Sequence, residues 1–192
     1  MPAQKQLRIS EKHPILAPYQ QGNFDALCGV YSIVNAIQWV YKDEKPLSRY
    51  RAGQIAEYGI TYLIRKRRLN QVIIDGMSNR LWRSLMRKMT EFANNRYGYE
   101  LVVSEVDQRI PLEETLTELL VGNNVLLIHL KGVFNHYSVI TGYQGKRWIL
   151  YDSDRMRYIR QSSIKASFER KESRYSFTKN GVFLIEIKTK LH

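Results

Sequence analysis

The hydrophobic patterning of this chain predicts an α+β fold, with a helical N-terminal half packed on a C-terminal antiparallel β-sheet. Three features point to it. Apolar residues recur at i, i+3 and i+4 between residues 28 and 94, which is the helical period. After Gly98 the period changes, and apolar runs of strand length take over. Gln144-Gly145-Lys146 joins two of these runs by a tight connection, as in an antiparallel hairpin. No internal repeat or low-complexity linker interrupts residues 1–192, so one domain is expected, with a cleft between its halves.

Taken in order, residues 1–22 read as an irregular arm, because Pro14 and Pro18 block helix. Cys28 to about Tyr41 reads as a helix with Val30, Ile33, Val34, Ile37 and Val40 or Tyr41 on one face, and Asp25 stands near its start as a cap. Pro46 and Ser48 open a second helix over about Arg49–Arg67. Val72-Ile73-Ile74 reads as a short extended piece closed by Asp75-Gly76. Ser78 caps a third helix to about Asn94, with Leu81, Trp82, Leu85, Met86, Met89 and Phe92 on its core face. Tyr99–Val106 reads as a strand and Leu112–Leu120 as a short helix after Pro111. Strands are expected at 124–130, 136–143, 147–151, 155–159 and 181–187. The helical region 43–122 stands as a candidate insertion or lid.

Composition narrows the function classes. A hydrophobic fraction of 44% with 13 tyrosines and 3 tryptophans is enough for a packed core. No apolar run approaches the ~20 residues that span a bilayer, and residues 1–6 lack a signal-peptide core, so a cytoplasmic location is expected. The single cysteine excludes an internal disulfide and suits a reducing compartment. Four scattered histidines and one cysteine give no metal-ligand spacing, and no phosphate-binding loop is present, so no cofactor is expected. The net charge is +12, with basic residues gathered in 65–68, 80–88, 155–160 and 165–174. These clusters read either as a solvated face or as a docking surface for an acidic partner such as nucleic acid, an anionic membrane or an acidic protein.

The chemistry is concentrated in a few residues. Cys28 ends a polar, Gly-containing loop and begins a helix, where the positive end of the helix dipole favours the thiolate. Downstream come His136, at the start of a strand, and Asp152, at the end of the next strand. A strand, a tight turn and an antiparallel strand can set those two side chains next to each other. The imidazole would then accept the Cys28 proton while Asp152 orients the ring, with Asp154 as a nearby substitute. His129, inside the apolar run 126–130, reads as structural, and His13 as an exposed arm residue.

The block Asp25-Ala26-Leu27-Cys28-Gly29 before an apolar helix resembles the nucleophile segment of papain-like cysteine peptidases. His136-Tyr137-Ser138-Val139-Ile140-Thr141-Gly142, with Asp152 after the next strand, resembles the bacteriocin-processing branch of that superfamily. The likeness covers residues 20–36 and 134–154 and not the helices between 43 and 122. It implies a papain-like fold, a Cys28–His136–Asp152 triad, a protein or peptide substrate, and an oxyanion hole built from the Cys28 N–H and a preceding glutamine. Gln21 is the choice for that glutamine, with Gln20 as the alternative, since Gly22 occupies the commoner spacing. A thioester on Cys28 could also pass to an amine, or form from a glutamine side chain, so acyltransferase and deamidase chemistry remain open on the same scaffold. A basic binding module for nucleic acid or another partner, with an inactive site, is the reading from a different class. It lacks any nucleic-acid motif.

Overall fold

The computed structural model of the chain describes residues 16–22, 26–107, 112–165 and 173–188, of which 112–114 are described by backbone alone. The expected cap Asp25, His13, Pro14, Pro111 and most of the basic run 165–174 lie outside the described residues.

Helix α1 spans Cys28–Val40, and Val30, Ile33, Val34, Ile37 and Val40 are all buried, as their spacing requires. Helix α2 spans Arg49–Arg65 and starts where the Ser48 hydroxyl accepts the Arg51 N–H at 3.3 Å. Helix α4 spans Asn79–Tyr97 and is capped the same way by Ser78 on Leu81 N–H at 3.3 Å. It stops at Gly98, whose φ of 64° lies in the left-handed region that glycine enters without steric cost. Between α2 and α4, residues 69–75 form a two-turn helix, α3 (Leu69–Asp75). The extended piece expected at Val72-Ile73-Ile74 is therefore corrected to helix. Only Val72 of the three is buried, no strand pairs with them, and Gly76 at φ 80° ends the helix. A run of β-branched residues reads as strand only where a neighbouring strand accepts it.

The second half supplies β1 (Leu101–Glu105), α5 (Leu112–Leu119), β2 (Val125–Gly132), β3 (His136–Gln144), β4 (Arg147–Leu150), β5 (Tyr158–Arg160), β6 (Ile164–Lys165) and β7 (Tyr175–Ile187). Among the described residues these strands form one sheet in the order β1-β7-β2-β3-β4-β5, with β6 beside β7. All pairings are antiparallel except the short β6–β7 contact. Two strand starts differ from expectation by three residues or more. The strand placed at 155–159 begins at Tyr158, because Arg155 takes a φ of 63° and extends the preceding turn. The strand placed at 181–187 begins at Tyr175: Asn180-Gly181 looks like a strand boundary but lies in a bulge inside β7, opposite His129.

The sheet is covered on both faces. Helices α1, α2 and α4 share one apolar cluster with Leu127, Tyr137, Val139, Phe183 and Ile185. Leu116 and Leu120, in and just after α5, pack on Leu126, Ile128 and Leu184 on the opposite face. Helices α2, α3 and α4 are thus part of the same core as α1, α5 lies in the cluster on the other face, and β1 is a strand of the main sheet. Trp82 of α4 is fully buried and stacks near Tyr137 and Phe183, at centroid distances of 4.4 and 5.5 Å. Truncating such a side chain typically costs about 3–5 kcal/mol. No helix among the described residues is long and apolar enough to cross a membrane.

Candidate active site

Cys28 is the first residue of α1, where helix geometry leaves its backbone N–H without an intrahelical acceptor. The next residue has to be small. A Cβ on Gly29 would stand 3.2 Å from Trp82 Cδ1 and 3.3 Å from Met77 Cε, while the Trp82 indole N–H donates to the Gly29 carbonyl at 3.1 Å. Helix α4 therefore grips α1 at the residue beside the thiol. The sequence places Trp82 on a core face, but nothing in its spacing shows that its N–H is aimed at Gly29.

His136 opens β3 and pairs across from Leu130 of β2. Ile140 of the same strand pairs with Leu150 of β4. Continuing that register two residues past Leu150 sets Asp152 across from Ser138 and diagonal to His136, on the same face. The contact follows: Asp152 Oδ2 lies 2.7 Å from His136 Nε2. Asp152 Oδ1 accepts the backbone N–H groups of Asp154 at 2.8 Å and Met156 at 3.2 Å. Asp154 itself is exposed and helps to hold Asp152 through its amide.

The Cys28 thiol completes the group. It is near enough to the His136 side chain to influence its protonation. The three side chains are well shielded, with Cys28 8%, His136 5% and Asp152 2% exposed. Burial is the largest influence on the His136 pKa and pulls it down. The hydrogen bonds from Asp152 and Cys28 and the charges of both groups outweigh it and push the value up to about 10. Burial likewise opposes ionisation of Asp152, but its contacts with His136, then Ser138 and the Asp154 amide, hold its pKa below the usual carboxylate value. The imidazolium is thus the favoured form of His136 at neutral pH. Phe134 packs edge-on against that ring, at 5.9 Å between centroids.

The glutamines lie beside this group in different settings. Residues Tyr19–Gln21 are clamped between α1 and the end of β4: Tyr19 N–H and C=O bond the buried Asn35 side chain at 2.7 and 3.1 Å, and Gln21 N–H donates to Ser153 C=O at 3.0 Å. Gln20 spends its side-chain amide on the Pro18 and Asp152 carbonyls, both at 3.1 Å. The Gln21 Oε1 atom is buried and has no hydrogen-bond partner among the described residues. The sequence singled out both glutamines for one role, but the structure gives Gln20 the work of strapping the Asp152 loop.

His129, one strand away, is a different kind of site. Its Nδ1 meets Asn79 Oδ1 and, at 3.0 Å, Thr178 Oγ1, and its Nε2 meets the Asn135 side chain. Asn79 also donates to Thr178 Oγ1 at 2.6 Å and to the Lys179 carbonyl at 2.9 Å. The ring stacks on Tyr137, across the β2–β3 pair, at 4.1 Å. Burial lowers the His129 pKa to about 4, further helped by the charges of Lys131 and His136 and opposed only by the Asn135 contact. This ring ties the start of α4 to the β7 bulge as a neutral group.

Among the described residues no cluster of three or more His, Cys, Asp or Glu could hold a metal ion. A groove of about 240 Å³ between α2 and α4, lined by Gln54, Tyr58, Tyr62 and Phe92 among others, shares no residue with the thiol site. Comparison of the chain with models of protein families, with curated proteins and with solved structures found no match.

Proposed function

We propose that the chain is a thiol hydrolase with a papain-like arrangement, acting as a cysteine peptidase on a protein or peptide. The observation that carries this reading is the buried Asp152–His136 pair at 2.7 Å, with Cys28, the first residue of a helix, near enough to influence the same ring. Asp152 fixes the ring orientation and favours the imidazolium, and the imidazolium favours the Cys28 thiolate. The thiolate attacks the scissile carbonyl carbon, and the oxyanion that forms is stabilised by the Cys28 N–H and the Gln21 side-chain amide. The His136 imidazolium gives its proton to the departing amine, so the C–N bond breaks and a thioester remains. Neutral His136 then takes a proton from water, the hydroxide adds to the thioester carbonyl, and the C–S bond breaks to release the acid and restore the thiolate–imidazolium pair.

The test is labelling of the folded protein with iodoacetamide at about pH 6, where an ordinary thiol of unperturbed pKa is largely protonated. Fast labelling that disappears in His136→Ala, together with cleavage of denatured casein that disappears in Cys28→Ala, is the expected result. Labelling no faster than that of a free cysteine peptide, or equally fast in His136→Ala, would sink the proposal.

A further inference from the structure

Two basic stretches that are separate in sequence meet at one end of the helical layer. Helices α2 and α4 pack antiparallel: Gln54 bonds Tyr97, Tyr58 stacks on Phe92, and Tyr62 bonds Ser84. The turn after α2, Arg65 to Arg68, therefore lies at the end where α4 begins and Arg80 projects. From Tyr58 to Thr90 the chain carries eight Lys and Arg residues against one acidic side chain, Asp75. All four residues of the turn are exposed, and Arg67 takes a φ of 54°, where the chain bends from α2 into α3. Two of them meet uncharged groups: Arg68 donates to Gln71 Oε1 at 2.8 Å, and the Lys66 ammonium lies 5.8 Å from the Tyr62 ring centre.

The same elbow exposes Ile64 by 55%, Ile73 by 37% and Ile74 by 78%. Single exposed isoleucines are ordinary, but three are exposed within eleven residues that also carry four exposed cations. A purely solubilising face explains the charges and leaves the isoleucines without a purpose. Nucleic acid would attract the charges, but single strands are gripped by aromatic stacking, and phosphate contacts to a duplex leave exposed isoleucines unused. An interface with anionic lipid uses both, with cations at the headgroups and aliphatic side chains just below them.

We propose that the α2–α3 elbow docks on an anionic phospholipid surface, with Arg65 to Arg68 and Arg80 at the headgroups and Ile64, Ile73 and Ile74 in the interfacial layer. A helix as short as α3 cannot form such a surface alone in water, so presentation depends on the folded helical layer. Docking also sets the orientation of the thiol site. Helix α3 leads through Gly76 to Met77, whose carbonyl accepts the Tyr137 hydroxyl and whose side chain faces the Gly29 position.

The experiment is co-sedimentation of the full chain with phosphatidylcholine vesicles, with and without phosphatidylglycerol, over a salt series. Binding is expected only with the anionic lipid and should weaken as salt rises. Replacing Arg65, Lys66, Arg67 and Arg68 by glutamine should cut binding about 100-fold or more. Ile73→Asn with Ile74→Asn, which leaves the charge unchanged, should cut it about 10-fold. Replacing Arg155, Arg157 and Arg160 by glutamine removes charge from another surface and should have little effect. Cys28→Ala should bind like the wild type, so this result stands or falls apart from the thiol chemistry. Equal binding to neutral vesicles, an unchanged isoleucine double variant, or equal loss from the Arg155 set would overturn the proposal. So would tight binding to duplex DNA with none to anionic vesicles.

Discussion

His129 and His136 lie on neighbouring strands, both nearly buried, and their charge states are opposite. His129 is 3% exposed with its pKa lowered to about 4, while His136 is 5% exposed with its pKa raised to about 10. Burial acts on both in the same direction, so it cannot be what separates them. The partners do. Amide and hydroxyl groups of Asn79, Asn135 and Thr178 surround His129 and carry no charge to offset desolvation. His136 has a carboxylate on Nε2 and the Cys28 thiol among the groups that raise its pKa. One ring is built to stay neutral and join α4 to the sheet, and the other is built to carry a proton.

The largest expected effect tests the charged member of the pair. His136→Ala should slow iodoacetamide labelling of Cys28 at acid pH by roughly 10²–10⁴-fold, whereas His129→Gln should leave it nearly unchanged if the variant folds. Equal losses would erase the distinction between the two rings. Asp152→Asn should reproduce much of the His136 effect, and Asp154→Asn should not, because only the Asp154 amide touches the site. Greater damage from Asp154→Asn would reverse the assignment.

The glutamines sharpen the same contrast between a working group and a holding group. Under the proposed peptidase reading, Gln21→Ala should lower turnover by about 10²–10³-fold through loss of an oxyanion donor. Gln20→Ala should mainly loosen the Asp152 loop, which a small fall in the denaturation midpoint would record.

Stability against pH should separate the histidines by sign. The folded pKa of His129 lies below the unfolded value of 6.5, so between these pH values the unfolded chain binds more protons. Its contribution is intact above pH 6.5 and falls by about 3 kcal/mol as pH drops toward 4. Urea melts of wild type and His129→Gln, near neutral pH and near pH 4, should show the wild type losing more. For His136 the folded pKa is raised, so its stabilisation is present below pH 6.5 and is lost as pH rises toward 10. A shared direction of slope in the two variants would contradict the comparison. The smallest effect expected is at a helix cap far from both rings: Ser48→Ala should cost about 1 kcal/mol with no change in labelling.

The legible parts of this chain are those whose causes lie within a few residues. The buried stripe of α1, the Ser48 and Ser78 caps, the Gly98 stop and the turn between Gln144 and Arg147 all follow from local period and local hydrogen bonding. Helix α3 was obscured because Val72, Ile73 and Ile74 favour a strand in isolation, while the actual backbone had no strand to pair with. The β7 bulge was obscured because Asn180 and Gly181 favour a turn, and only the docking of Asn79 and His129 shows that the strand continues on either side. For the candidate site, residue types and chain order were visible, but the separate settings of Gln20 and Gln21 were not, since they depend on carbonyls at residues 152 and 153.

The sequence by itself determined the helical and sheet halves, the position of Cys28 at a helix start, and an order of Cys, His and Asp along the chain. Periodicity and capping suffice for this because they are short-range energies repeated over many residues. Only the tertiary structure decided that Asp152 meets His136 at 2.7 Å, that His129 is held by uncharged amides, and that Arg65 to Arg68 share an end of the molecule with Arg80. Charge state and surface potential depend on which groups come within a few ångströms across the fold. The partners here lie from 6 to 50 residues apart along the chain, and how strands and helices pack sets their separation.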